Sequence, residues 1–238
     1  MTISTRLYTY DVVSVEQTDL IAKAAQCLTK SFVGVDIAGK WVQEPMVGHL
    51  DIREEDFYLF VKEYIESTVD QGYCMVAQDH NHEVVGVLAG DTNVPEIIGE
   101  DVFQGSFVDM NVILHVLEDV DKRFMEAYQE KNGKELTDGK LLHLFMIGVT
   151  AKENRHEVIE QLGKGLIEKA IAEGVEAVYA EATNNKSLRV LEKYHGLKKY
   201  KDSEGHDIMH AYKENTRLNE ISETIADGTY IVLRELNQ

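Results

Sequence analysis

Nine histidines, two cysteines and 42 acidic residues are the groups from which this chain of 238 residues could build a reactive site. His80 and His82 bracket Asn81, and His206 stands four residues before His210. Residues four apart on a strand share a face, so such a pair has the spacing to hold zinc. Neither pair has a cysteine beside it or forms a ligand series such as H-E-x-x-H, so solvated turns are the better reading and no metal is expected. Cys27 falls on a helical apolar stripe and Cys74 at the start of a strand; both read as small core residues, not nucleophiles. His143 lies inside the most apolar stretch, LLHLFMIGVT, where a packing role outweighs one as base or substrate contact. Glu44 would ordinarily be one more solvated carboxylate, but Pro45 follows it directly. Thr183 and Ser187 flank a natural helix cap, Asn184, and Tyr194 reads first as a packed aromatic.

Charge narrows the partners. With 42 Asp and Glu against 24 Lys and Arg, the formal charge is −18, which excludes a chain built to grip a nucleic-acid backbone and favours cationic partners. No apolar run approaches the roughly 20 residues that cross a membrane, and the opening MTISTRLYTYDVVSVEQ lacks the apolar stretch of a secretory signal. Two cysteines are too few for a disulfide framework, so a cytoplasmic location is expected.

The elements that would position these residues follow from pattern. Residues 7–13 read as a first strand, and Ser14 with Gln17 as a capping box before a helix carrying Ile21, Ala24, Ala25, Leu28 and Phe32. The stretch VGVDIAGKWVQEPMVGH has no period and reads as loop. Asp51 and Glu54 open a helix with an apolar stripe at Phe57, Phe60, Val61, Tyr64 and Ile65. Residues 73–78 and 84–89 form a hairpin. The stretch 91–109 reads as loop, and a helix follows on Ile113, Val116, Leu117, Val120 and Phe124. Then come a buried strand over 141–150, a helix stopped by Gly174, the strand VEAVYAEAT, the helix NNKSLRVLEKY, and strands near 199–212 and 229–234 with a long hairpin loop between them. No linker or repeat interrupts the chain, so one domain over 1–238 is expected, with 91–140 as a helical insertion. A hairpin entering a βαβ unit implies a mixed sheet with helices on both faces.

The order strand, loop, helix, strand, Asn-capped helix and Gly-hydrophobic pair over 143–200 resembles the core of the GNAT superfamily of acyl-CoA-dependent N-acetyltransferases. That resemblance implies an α/β (α+β) fold: a mixed, mostly antiparallel twisted sheet of about seven strands, splayed at its central strand to admit the pantetheine arm of acetyl-CoA. Ile147 and Val149 would then lie along the arm. The helix after the strand would offer its first N–H groups to the pyrophosphate, a favourable place for an anion. Aligned without gaps, the pyrophosphate loop is Asn154, Arg155, His156, Glu157, Val158 and Ile159, without the family's glycines. A gapped register over Glu160–Gly165 recovers both glycines at Gly163 and Gly165. The ungapped register keeps Val158, Leu162, Leu166, Ala170 and Ile171 on one helical face and is preferred; the two glycines then serve close packing, although each costs about 1 kcal/mol against alanine.

The triplet Glu44-Pro45-Met46 is similar to one that supplies the general base in arylalkylamine (dopamine-type) N-acetyltransferases. The same likeness puts Thr183 and Ser187 on hydroxyl positions of the last family helix and Asn184 at the cofactor. The usual tyrosine acid is replaced by Leu191, which leaves Tyr194, one turn later and beside an extra residue, His195, as a fallback acid. The chemistry asks for such groups: a protonated amine must lose a proton before it attacks a thioester carbonyl, and hydroxyl or N–H donors polarise that carbonyl. The resemblance therefore implies a small amine as substrate, acetyl-CoA as co-substrate and direct transfer between them. Exposed strands at the chain's end leave a homodimer open. The alternative is a non-catalytic relative that binds CoA or a partner, suggested by the atypical pyrophosphate loop.

Overall fold

Branched and aromatic residues at the start of the chain form two short antiparallel strands, β1 (Thr2–Ser4) and β2 (Thr9–Val12), where the pattern predicts one. The computed structural model describes residues 2–4, 7–37, 39–93, 108–133 and 139–236. Helix α1 (Thr18–Val33) buries Ile21, Ala24, Ala25, Cys27 and Leu28. It begins later than a cap at Ser14 would place it. The Ser14 N–H does donate to the Gln17 side chain at 2.9 Å, but Gln17 itself is the N-cap, so the pair forms a turn ahead of the helix.

The stretch expected as loop holds a hairpin, β3 (Val35–Ile37) with β4 (Lys40–Val42), and a helix, α2 (Pro45–His49). Three-residue strands and a five-residue helix are too short for a period to show in sequence. The helix is set locally: the Glu44 side chain accepts from the Val47 N–H, and Pro45 occupies the first helical position, where its missing N–H costs nothing. Next come α3 (Glu54–Thr68), which buries its predicted stripe, β5 (Cys74–Gln78), β6 (Val84–Asp91) and α4 (Val108–Asn132). Most of the loop predicted over 91–109 lies outside the described residues.

The remainder follows the predicted order: β7 (Leu141–Val149), α5 (Arg155–Ala172), β8 (Ala177–Ala182) and α6 (Asn185–Val190), continued by a π-turn over Leu191–His195 that absorbs the extra residue. Strands β9 (Lys198–Lys199), β10 (Met209–Ala211) and β11 (Gly228–Glu235) complete it. The main sheet runs β1-β2-β5-β6-β7-β8-β11-β10, with β9 also on β11. Among the described residues it has nine strands where about seven were expected, because strands of two or three residues join its margins. Among the described residues its pairs are antiparallel except β7–β8. One apolar cluster packs α1 and α3 on one face, a second packs α5 on the other, and a third joins α4 to β8 and β11.

The functional consequence lies at the parallel pair. Strands β7 and β8 are hydrogen-bonded only at Leu141–Ala177, Leu142–Val178 and His143–Tyr179. Beyond that point β7 stays with β6 to Val149 while β8 stays with β11 to Ala182, so the sheet opens between them. A register shift at Ala89/Gly90 marks the same level on β6, and a side chain at Gly90 would stand 2.3 Å from the His143 carbonyl oxygen. Only glycine fits that approach.

Candidate active site

The opening between β7 and β8 leads into a cavity of about 200 Å³. Its walls are mostly apolar, drawn from Phe57, Phe60, Met110, Leu114 and Phe145 among others, and its few polar groups include Glu44, Glu181, Thr183, Asn184, Ser187 and Arg155. A largely apolar cleft with a few convergent polar groups is the form of a small-molecule site.

Glu44 enters the cavity from the start of α2 and is buried. One carboxylate oxygen accepts the Val47 N–H at 2.8 Å and the other accepts the Thr183 hydroxyl at 2.9 Å. Burial raises its pKa, and the hydrogen bonds from Val47, Thr183, Met46 and Asn184 oppose but do not cancel that rise. A carboxylate made more basic by burial, yet still held ionisable by donors, suits a general base. Thr183 is fixed in turn: the Tyr212 hydroxyl lies 2.7 Å from the Thr183 carbonyl oxygen, to which it donates, and 2.8 Å from the Thr229 hydroxyl.

Asn184 caps α6, as expected, accepting from the N–H groups of Lys186 and Ser187. The Ser187 hydroxyl closes the box by accepting the Asn184 N–H at 3.1 Å, and it donates to the Asn184 carbonyl at 2.9 Å. Ser187 therefore lines the cavity with its hydrogen already engaged. Tyr194 does not line it; its ring stacks on His156 with centroids 5.8 Å apart, and the Lys193 ammonium lies over it.

At the mouth, α5 begins at Arg155, with Asn154 as N-cap in the left-handed region (φ 48°). This is the ungapped register. The Asn154 side chain makes no capping bond, and its carbonyl takes the Glu157 and Val158 N–H groups. The N–H groups of Arg155 and His156 point out of the first turn without an intrahelical acceptor. Arg155 lines the cavity with Ile159, Ile147, Val149 and Asn184, and its Nη1 is buried without a hydrogen-bond partner. Burial depresses its pKa. Val158 instead points into the core beneath α5. Gly163 and Gly165 lie buried in the middle of α5, not in a loop. A side chain at Gly163 would stand 2.2 Å from the ring of His195, so the glycine makes room for the histidine that the π-turn brings inward.

Sequence reasoning missed a charged cluster on the cavity's inner side. His143 Nε2 is 2.7 Å from Glu181, and Nδ1 is 3.3 Å from Asp91. The Tyr64 hydroxyl donates to Asp91 at 2.8 Å, and Tyr179 stacks on the imidazole at 4.6 Å. Burial works against a charged His143, but Glu181 and Asp91 overcome it and hold the ring's pKa well above its ordinary value. With both nitrogens engaged by carboxylates, His143 is a counter-ion without a free lone pair, and the role of base is closed to it. Asp91 and Glu181 carried no sequence signal, because each is an ordinary acid until the fold assembles them.

The remaining candidates stay apart. His80 and His82 are exposed in the β5–β6 turn, His206 lies beside Asp202, and His210 pairs with Asp119 at 2.8 Å. Among the described residues no group of three His, Cys, Asp or Glu is arranged to hold a metal ion. No described helix is long and apolar enough to cross a membrane. Burial pushes the Cys27 thiol up to about 11 and the Cys74 thiol up to about 12, which makes both poor nucleophiles.

No protein-family model matches the chain, and no curated protein matches it in sequence. Solved structures do match in fold. Arylalkylamine N-acetyltransferase 2 from Aedes aegypti is similar with a TM-score of 0.66 at 13% identity, over 97% of this chain and 99% of that one. The C-terminal condensation domain of Ebony, solved with beta-alanyl-dopamine, has a TM-score of 0.64 at 14% identity, over 96% and 99%. A Drosophila melanogaster polyamine N-acetyltransferase that forms N-acetylagmatine has a TM-score of 0.59 at 15% identity, over 96% and 100%. The architecture is that of the GNAT-fold N-acetyltransferases.

Proposed function

Taking that fold as premise, we propose that the chain is an acetyl-CoA-dependent N-acetyltransferase acting on a small amine. The observation that carries this is the pairing of Glu44 and Arg155 in one cavity: a buried carboxylate of raised basicity, and a buried guanidinium nitrogen with no partner at the mouth. An unpartnered guanidinium donor beside the free first-turn N–H groups of a helix favours an anionic ligand. That is how the residues present fit the cofactor. Arg155 and the N–H groups of Arg155 and His156 would hold its phosphates, and Ile147, Val149, Ile159 and Asn184 would flank its arm. When bound, acetyl-CoA supplies a thioester carbonyl as the acyl source.

The chain's own residues then have separable tasks. Glu44 Oε1 or Oε2 takes the proton of the incoming ammonium, directly or through one water. Thr183 holds Glu44 in place and relays a proton. Ser187 and Asn184 shape the wall where the thiol group leaves, and the apolar walls exclude bulk water. Acidity overall attracts the amine and opposes the cofactor, so Arg155 and Lys152 supply local compensation. A cytoplasmic enzyme of one domain is the reading that accompanies this.

One observation favours the alternative of a non-catalytic binder: Glu157 stands in the first turn of α5, where a negative charge opposes a bound anion. Heat-shift measurement with acetyl-CoA and thiol release with an amine panel separate the two. A shift with amine-dependent thiol release is expected for the enzyme. A shift without turnover would leave the binder, and no shift at millimolar acetyl-CoA would contradict both.

A further inference from the structure

A second cleft opens beside the cavity, and the acetyl-transfer reading leaves it unused. It holds about 630 Å³, within the range of roughly 300–1,000 Å³ usual for small-molecule sites. Helix α6 stands between the two spaces: Ser187 and Val190 line the cavity, whereas Asn185 and Arg189 line the cleft. Gln43, Asn184 and Lys186 line both, so the spaces adjoin at the start of α2, where Glu44 stands. The walls are pinned. The Asn185 N–H donates to the Ile225 carbonyl at 3.1 Å, and its side-chain amide donates to the Thr224 carbonyl at 3.3 Å. On the other side, His49 Nε2 lies 3.0 Å from the Arg217 carbonyl oxygen.

The lining is apolar and cationic together. Trp41, the one tryptophan of the chain, is 64% exposed there with its indole against Gly34, and Ile225 is 53% exposed. Lys186 and Arg189 lie one turn apart on α6, both exposed, and among the described residues neither makes an ion pair. They face one acid on these walls, Glu220, whereas in the chain as a whole 42 acids outnumber 24 Lys and Arg. Two unpaired cations beside exposed apolar surface suit an anion that carries an apolar group. Arg155, proposed above to hold the cofactor's phosphates, lies on the cavity side of α6, which leaves these cations free for the acceptor. Resting on the proposed function, we propose that the cleft receives the far end of the acceptor and that this end bears a carboxylate. The acceptor is then a short peptide-like amine. Its amino group meets Glu44, its apolar side chain lies against Trp41 and Ile225, and its carboxylate meets Lys186 and Arg189. The two charged ends must stand apart, and an extended dipeptide spans about 7 Å.

Calorimetry on the full chain without cofactor, at about 0.15 M salt, tests this with glycylphenylalanine and glycylphenylalaninamide, which differ in the terminal charge alone. The sign is diagnostic. The acidic chain as a whole favours the more cationic amide, whereas the cleft should favour the acid by about tenfold, the worth of a charge-assisted contact. Binding of the acid should also change the emission of Trp41. In the double variant Lys186→Gln, Arg189→Gln, both at exposed positions, the preference should vanish or reverse. Equal or amide-favouring affinities in the wild type, binding of neither dipeptide, an unmoved Trp41 emission, or an unchanged preference in the variant would each overturn the proposal. The wild-type comparison stands even if the variant does not fold. Because binding is read without turnover, acid preference with no acetyl-CoA-induced heat shift would sink the acetyltransferase reading and leave the cleft's assignment intact. Amine-dependent thiol release with no acid preference would do the reverse.

Discussion

The Thr183 hydroxyl donates to Glu44 Oε1 at 2.9 Å across 139 residues of sequence. This bond ties the cap of α2 to the end of β8 and so carries the candidate base to the edge of the opening in the sheet. Thr183→Val removes a donor to the carboxylate and should raise the Glu44 pKa further. The acid limb of the kcat/KM profile is then expected to move to higher pH, with a loss of about tenfold near neutrality, in line with one charge-assisted hydrogen bond. An unmoved profile measured with a single amine would separate Thr183 from the base.

Burial of Glu44 has a cost that stability measurements can read. Its folded pKa lies above its unfolded value, so the folded state binds the proton more tightly. The stabilisation that this proton brings is complete below the ordinary carboxylate range and is lost as pH rises through the folded pKa. Glu44→Gln should therefore be more stable than the wild type at pH 8. The gap should close towards pH 4. Urea denaturation at the two pH values checks the sign, and a wild type that gains on the variant as pH rises would refute it.

Gly163 sets two effects against each other. Alanine normally gains about 1 kcal/mol over glycine within a helix, but here its methyl group would stand 2.2 Å from the buried His195 ring. The imidazole has no room to retreat, since Nε2 lies 3.1 Å from the Ile159 carbonyl and the residue is 1% exposed. Overpacking of this kind costs about 1–3 kcal/mol, so Gly163→Ala should be less stable than the wild type. A rise in the urea midpoint would show that α5 is not pinned by His195.

Charge at the mouth of the cleft should tune cofactor affinity in both directions. Arg155→Ala is expected to weaken acetyl-CoA binding about tenfold or more through loss of a charge-assisted contact. Glu157→Gln should strengthen it about two- to fivefold, the range of a helix-terminus charge effect. Titration calorimetry of the two variants decides; equal affinity in both would place the phosphates elsewhere.

Local signals in the sequence carried the parts of the site that local forces build. Asn184 and Ser187 lie three residues apart and form a capping box by themselves, and Glu44 with Pro45 starts a helix without distant help. The start of α5 followed from the apolar face shared by Val158, Leu162 and Leu166, all buried. The hairpin β3–β4 and the helix α2 stayed hidden because each is shorter than a readable period. The Asp91–His143–Glu181 cluster stayed hidden for a different reason. His143 and Glu181 are 38 residues apart on strands that pair parallel, and in a chain with 42 acids neither partner stands out. Tyr194, considered in sequence as an acid, stacks on His156 and is not among the residues that line the cavity.

The central claim is that Glu44 removes the proton of an amine in acetyl transfer, and the kcat/KM of Glu44→Gln tests it most directly. With acetyl-CoA and one small amine, the variant is expected to keep the acetyl-CoA-induced heat shift while kcat/KM falls about 10²- to 10⁴-fold and the acid limb of the pH profile disappears. Wild-type kcat/KM with an unchanged profile in Glu44→Gln would contradict it.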